Sequence, residues 1–479
     1  MPNEKYNVVV IGAGTAGLVT AAGTAGLGGR VALIERGRMG GDCLNTGCVP
    51  SKALISSARL IDQIRHAEDW GLKPQKPVFE LDAVFRRMRA QRDKLAVNDS
   101  QERFESLGVD VFRGDARFVS PHEVRVGEVS LRATNFVIAT GSRAAVPPIE
   151  GLKEVRPYTN ETIFDELDEK PERLVILGGG PIGCELGQVF SRLGVAVTIV
   201  QRPPQLLEKE DADAAGLLRR RLEAEGVTIL TGTEVKRVRA DGRTIRLSLD
   251  EEAVSDRSIA CDAVLLAAGR VPNVEGLNLE AAGVAYTKKG VTTNAHLQTS
   301  QPHIYAAGDV VGSHQFTHIA DHHARTVVRN ILFPLLKTKV ETEVIPWCTY
   351  TSPEVARVGL NENEARRKGV AYDLFTQPVE EVDRAVLESE EIGFAKVLTA
   401  RGRDRILGVT LVCERAGDLL VEFVSAMKNG VGLTGISKVI HPYPTFAEIA
   451  RKVADQQQRK RLTPFAKNVL TRLYRWRRM

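Results

Sequence analysis

Apolar and polar positions along the chain fall into two matching blocks. Val8–Glu35 and Leu174–Gln201 each run as a β-rich apolar stretch, a glycine cluster, a helix-like stretch of small residues, a second apolar run and a closing polar residue. Each predicts a strand, a tight turn and a helix returning to a parallel strand, the βαβ core of a doubly wound α/β domain. Between the blocks, residues 53–105 carry helical spacing with many charges (ARLIDQIRHAEDW, LDAVFRRMRAQRDKLAVNDSQERF), which reads as a helical insertion. Short strand-like runs then lead to NFVIATGS. After CDAVLLAAGRVPN the first domain is expected to resume through HIYAAGDV, and from about Trp347 a different alternation (AKVLTA, ILGVTLV) with later helices predicts an α+β domain. The expected segments are 1–150 and 151–270 for the two doubly wound domains, 271–346 for the second part of the first, 347–455 for the α+β domain, and 456–479 as a tail.

Length agrees with this division, since 479 residues exceed one hydrophobic core and suggest about three domains. The chain is 43% hydrophobic and 26% charged, and it has no apolar run of about 18 residues that would span a bilayer. Its start, MPNEKYNVVVIGAG, reaches a buried-strand pattern too early for a secretory leader, so a soluble, cytoplasmic protein is expected. Six cysteines are too few for a disulfide scaffold, and in a reducing compartment a close pair points to catalysis.

Both glycine clusters suit phosphate binding. In the first, Gly12 permits the tight turn, Gly14 admits a pyrophosphate, Gly17 allows close helix packing, and the helix N-terminus supplies oriented N–H donors. Glu35, ending the next strand, can accept from both hydroxyls of an adenosine ribose. In the second, Gly178, Gly180 and Gly183 take the same places, but Gln201 stands where Glu35 stood. A carboxylate there would repel the 2′-phosphate of NADPH, whereas Gln201 is neutral and Arg202 can pair with phosphate. NADPH is favoured, with NADH the alternative, because Gly183 suits either. Residues Gly40 to Lys52 read GGDCLNTGCVPSK, with Cys43 and Cys48 close together and a helix-like stretch following. A helix N-terminus stabilises a thiolate, and so close a pair can cycle between dithiol and disulfide.

With these motifs, and with ATGS at Ala139–Ser142, AAGR at Ala267–Arg270, AAGDV at Ala306–Val310 and PEVARVG at Pro353–Gly359, the chain resembles the pyridine nucleotide–disulfide oxidoreductases over roughly residues 5–455. The resemblance implies an FAD-binding first domain, an NAD(P)-binding second domain and a third that forms a homodimer. It implies that Asp309 contacts the flavin ribityl chain, that Thr140, Gly141 and Ser142 line the FAD site, and that Gly269 approaches the nicotinamide cofactor. Lys52 would pair with Glu185 near the flavin, Cys48 would face the flavin, and Cys43 would exchange with the acceptor.

The acceptor is not named by the resemblance. Disulfide-reducing members place a base in a His-Pro-Thr-x-x-Glu run, and here the run is His441-Pro442-Tyr443-Pro444-Thr445-Phe446-Ala447-Glu448. Superposing Pro444, Thr445 and Glu448 puts Tyr443 at the histidine position and His441 two residues early. A phenol is a poorer base than an imidazole at neutral pH. The expected branch is therefore similar to mercuric reductases, with a small-molecule or metal-ion acceptor. Mercuric reductase itself, a dihydrolipoamide dehydrogenase using His441, and a membrane-associated electron-transfer subunit are the alternatives. His314, His318 and His322 would share a face if helical, but no resident metal is expected, since no carboxylate or cysteine joins them at ligand spacing.

Charge is uneven. Net charge is +5, yet residues 456–479 hold eight of the 65 Lys/Arg and none of the 60 Asp/Glu, leaving the body at −3. In that tail Leu462, Phe465, Val469, Leu473 and Trp476 form an apolar stripe while Arg459, Arg461, Lys467, Arg472, Arg475 and Arg478 carry charge. It reads as a basic amphipathic helix that packs on the protein's own body or dimer partner, or that meets a membrane surface. A nucleic-acid partner is not expected.

Overall fold

The computed structural model describes residues 5–249 and 258–478, so residues 250–257 of the expected 151–270 segment lie outside the description. The chain divides into two compact units: Met1–His66, Pro74–Arg202 and Val227–Glu341 form one, while Ala67–Lys73, Pro203–Gly226 and Thr342–Met479 form the other.

The first unit contains two parallel sheets. One runs Val109–Arg113, Val31–Glu35, Tyr6–Ile11, Val129–Ile138, and the strand Ile304–Ala306 pairs in parallel with the last of these. Tyr6–Ile11 lies at its centre, with Val8 opposite Val31 on one side and Asn135 on the other. A strand buried on both faces needs a continuous apolar run, hence YNVVVI rather than alternation. The other sheet runs Thr228–Thr231, Ala196–Gln201, Arg173–Leu177, Ala263–Leu266, again all parallel. The charged insertion folds as helices Cys48–Arg65, Leu81–Ala96 and Gln101–Ser106. Cys48–Arg65 packs on Pro181–Arg192, the helix after the second glycine turn. The nearly buried pair Arg192 Nη2 and Asp62 Oδ2 (3.2 Å) joins them.

The second unit is built on a five-stranded antiparallel sheet, in the order Pro346–Thr349, Glu354–Gly359, Ile406–Cys413, Phe394–Ala400, Tyr372–Pro378. Helices Ala416–Lys428 and Glu448–Arg461 cover it, burying Leu420, Phe423, Val453 and Ala454. Truncating the wholly buried Phe423 to alanine should cost about 3–5 kcal/mol, because the surrounding strands cannot collapse into the cavity. Segment Pro203–Gly226 is tied to this sheet by buried charge: Arg357 meets Glu210 and Glu364, each at 3.0 Å, and stacks 4.2 Å from the Trp347 ring. Lys396 meets Glu362 at 3.0 Å and also contacts Asp213. Arg357 and Glu210 are both buried, and losing Arg357 would leave a bare carboxylate at about 3–5 kcal/mol.

Candidate active site

The two glycine turns are built alike. Gly12 and Gly178 have φ of +102° and +119°, and a Cβ on either would sit 2.5 Å from Ala139 O or 2.3 Å from Ala267 O. A Cβ on Gly17 or Gly183 would strike Gly12 O or Gly178 O at 1.8 and 1.9 Å, so each helix lies directly on its own turn. Both helices, Thr15–Gly26 and Pro181–Arg192, start at a glycine N-cap (Gly14, Gly180) with no side-chain cap, and their first N–H groups remain available to an anion. These cradles fit the diphosphates of FAD and NAD(P)H. The closing residues turn back onto the turns: Glu35 Oε2 accepts from Ala13 N (2.6 Å), and Gln201 Oε1 accepts from Gly179 N (2.7 Å). Glu35 Oε1 also accepts from Gly37 N at 2.6 Å. Arg202 is exposed; the hydrogen bond and charge of Lys236 lower the pKa of Glu234, and the Arg202 charge adds to that.

The first turn is joined to the cysteine motif. Gly40 N donates to Ala13 O (2.9 Å), and Gly41 lies so close to Gly14 that a Cβ on it would be 2.5 Å from Gly14 Cα. Cys43 lies in the short helix Gly41–Asn45, and Cys48 is the first residue of Cys48–Arg65; both are free thiols. Cys48 Sγ lies 3.3 Å from the hydroxyl of Thr317, itself the first residue of helix Thr317–Leu332. Two helix N-termini therefore meet at one sulfur, each favouring negative charge. The hydrogen bond from Cys43, helped by Thr317 and the Lys52 ammonium, lowers the Cys48 pKa to about 6, against burial and the Asp42 charge. The same hydrogen bond and burial push the Cys43 thiol far up. The pair thus favours negative charge on Cys48 and the proton on Cys43. Lys52, one turn along, reaches Glu185 Oε2 at 2.7 Å.

A cluster that sequence reasoning did not assemble surrounds Arg270. Its Nη2 lies 2.6 Å from Asp42 Oδ2, its Nε donates to Ser142 Oγ (2.8 Å), and Ser142 Oγ donates to Asp309 Oδ2 (2.6 Å). Burial raises the pKa of Asp309, opposed by Ser142 and Arg270. Thr140 Oγ1 donates to Asn273 O (2.7 Å), so the ATGS and AAGR runs lie together, and Gly141 and Gly269 both have positive φ. The only signal in the sequence was that AAGR and AAGDV each carry one charged residue after small ones.

The histidines do not form one helical face. The helix begins at Thr317, after His314, because Phe316 adopts an extended N-cap conformation. His322 Nε2 accepts from Glu341 N (3.1 Å), the buried His323 Nδ1 accepts from Gly308 N (3.2 Å), and His318 stacks on Phe316.

In the second unit, Tyr443 is exposed and its hydroxyl donates to Asp383 Oδ2 (2.8 Å), which raises its pKa, with the Glu448 charge adding to the rise. Glu448 is buried at the start of Glu448–Arg461 and accepts from Arg451 (2.7 Å). His441 faces elsewhere, with Nε2 3.0 Å from Glu422 Oε1 and Nδ1 3.0 Å from Val439 O.

Comparison with known proteins accounts for both units. Residues 6–324 match the model of the pyridine nucleotide-disulphide oxidoreductases, and residues 345–454 match the dimerisation domain of the same family. A mercuric reductase of Staphylococcus aureus is 35% identical over 450 residues, covering 92% of this chain and 81% of that protein. A dihydrolipoyl dehydrogenase of Thermus scotoductus is 34% identical over 459 residues, covering 94% and 97%. The solved structure of a Cu(II) complex of the HOCl-induced flavoprotein disulfide reductase RclA from Escherichia coli superposes with a TM-score of 0.85 at 28% identity, covering 95% of this chain and all of that one. The two family matches together span most of the chain, which belongs to the pyridine nucleotide–disulfide oxidoreductases, flavoproteins that use FAD and NAD(P)H.

Proposed function

We propose that this protein oxidises NADPH through FAD and the Cys43–Cys48 pair, and delivers two electrons to a thiophilic acceptor, a soft metal ion above all, rather than to lipoamide or glutathione. The observation that carries this reading is the Cys43–Cys48 thiol pair at a helix N-terminus, with Cys48 Sγ 3.3 Å from the Thr317 hydroxyl. FAD, when bound, supplies the hydride acceptor between nicotinamide and disulfide. The chain's residues do the rest. The first glycine turn and Glu35 would hold the FAD diphosphate and ribose, Ser142 and Asp309 would serve its ribityl chain, and the second turn with Gln201 and Arg202 would hold NADPH. Lys52, held by its ion pair with Glu185, sets its ammonium where it favours a thiolate on Cys48.

In the oxidised resting form the Cys43–Cys48 S–S bond takes up an electron pair and one proton, giving the Cys48 thiolate and the Cys43 thiol. The reverse step returns the pair to an acceptor as the bond re-forms. A disulfide acceptor needs a base to pass protons to its leaving thiol, and His441 is turned to Glu422 while Tyr443 bears an unusually weakly acidic phenol. A metal ion needs only thiolate ligands, and soft thiolates select soft metals. The names of the Staphylococcus aureus relative and of the RclA complex support this acceptor class.

Steady-state turnover with lipoamide, oxidised glutathione, Hg(II), Cu(II) and quinones, each with NADH and NADPH, tests the reading. The expected outcome is preference for NADPH and for a metal ion, and robust lipoamide turnover lost in His441→Ala would overturn it. A second test needs no acceptor. The Cys48 alkylation rate should titrate well below the ordinary thiol range, and Lys52→Met should move that midpoint up. An unmoved midpoint would remove Lys52 from the site.

A further inference from the structure

The tail forms a second helix, Pro464–Trp476, beyond the residues matched by the dimerisation domain. It starts cleanly: Thr463 Oγ1 accepts from Ala466 N (3.2 Å), and Pro464 occupies the first turn, where its missing N–H costs nothing. None of its side chains is buried. At about 100° per residue, Phe465, Ala466, Val469, Leu470, Leu473 and Trp476 fall within one arc of about 140°. Leu470 joins the stripe, whereas Leu462 precedes the helix; the side chain of Arg461 lies outside the described residues. Lys467, Arg472 and Arg475 fall on the remaining arc, with Arg478 just past the helix. The apolar face is open: Phe465 is 78% exposed, Trp476 73%, Leu473 50% and Leu470 44%.

We propose that this helix lies in the headgroup region of an anionic lipid bilayer, with its apolar arc inserted and its basic arc against lipid phosphates. Three observations favour lipid over a protein partner. The segment 456–479 contains no Asp or Glu that would repel anionic headgroups. Its apolar residues end in Tyr474 and Trp476, types that settle at the water–hydrocarbon boundary. The helix is short and its basic arc broad, which suits lying in an interface, and among the described residues no helix is long and apolar enough to cross a membrane. Each basic residue near such a surface strengthens partition by about fivefold.

The test is sedimentation of the FAD-loaded full chain with vesicles of phosphatidylcholine alone, or of equal parts phosphatidylcholine and phosphatidylglycerol, at low and high salt. Binding to the anionic vesicles that high salt weakens is expected, and Arg472→Glu with Arg475→Glu should reduce it at least about twentyfold. Phe465→Ser with Leu473→Ser should also abolish it, while flavin content stays unchanged in both variants, showing that the fold survives. Vesicle addition should blue-shift tryptophan emission, and Trp476→Phe should lose that shift. Equal binding to both vesicle types, or none to the anionic ones at low salt, would overturn the proposal. So would light scattering that shows the intact chain in a higher oligomer that the Phe465/Leu473 variant reduces, because a second copy would then cover the face.

Discussion

The two βαβ units answer the same problem with nearly superposable turns and one chemical difference. Each has a glycine at positive φ against a strand-end carbonyl, a glycine pressed on the first, and a closing side chain whose oxygen accepts from the turn. In the first βαβ segment that side chain is the carboxylate of Glu35; in the second βαβ segment it is the amide of Gln201. Because both oxygens make the same backbone hydrogen bond, holding the turn does not require charge. The charge is therefore free to select the ligand: a carboxylate welcomes ribose hydroxyls, and an amide beside Arg202 tolerates a phosphate.

The largest effect should come from breaking the turns one at a time. Gly12→Ala places a Cβ on a carbonyl at positive φ and should yield protein almost free of flavin, seen directly in its visible absorbance. Gly178→Ala carries the same clash, yet it should keep its flavin and lose about a hundredfold in kcat/KM for NADPH. Equal flavin loss in both variants would erase the division between the units. A smaller effect sharpens the chemical difference. Gln201→Glu retains an acceptor for Gly179 N and should shift the NADPH/NADH ratio of kcat/KM by about tenfold or more toward NADH. The converse Glu35→Gln should weaken FAD by about 1.5–3 kcal/mol, measured by titrating apoprotein with flavin.

The smallest effect is a pH dependence on the first side. Burial, with the charges of His322 and His314, lowers the His323 pKa from 6.5 to about 4. The folded state then binds fewer protons than the unfolded, so this contribution is complete above about pH 6.5 and is lost as pH falls toward 4. His323→Gln, which can still accept from Gly308 N, should flatten that acid limb by about 2 kcal/mol in denaturant titrations. An unchanged limb would assign the acid loss to other groups.

The family and the layered fold were legible in the sequence because their signals are local. A strand, a turn that only glycine can make and a returning strand fit within some thirty residues, and Cys43 and Cys48 sit on one short motif. What stayed hidden depends on residues far apart in the chain. Arg270 meets Asp42 and Asp309 across three motifs, and Thr317 reaches Cys48 from a helix that begins 269 residues later. The histidine spacing misled because periodicity cannot show where a helix starts, and an extended Phe316 leaves His314 outside. The tail stripe was nearly right for the same reason: its period was visible, but the cap at Thr463 excluded Leu462 and admitted Leu470.

The hydrogen bond from Gly40 N to Ala13 O leaves only Arg36, Gly37, Arg38 and Met39 between Glu35 and the redox motif, and Gly37 N is itself held by Glu35. That linker has no slack. A single inserted residue would displace the thiol pair and unseat the nucleotide turn together. The two motifs are mechanically one block, and grafting the cysteine segment onto another nucleotide-binding scaffold would have to carry the first turn and its acidic residue along with it.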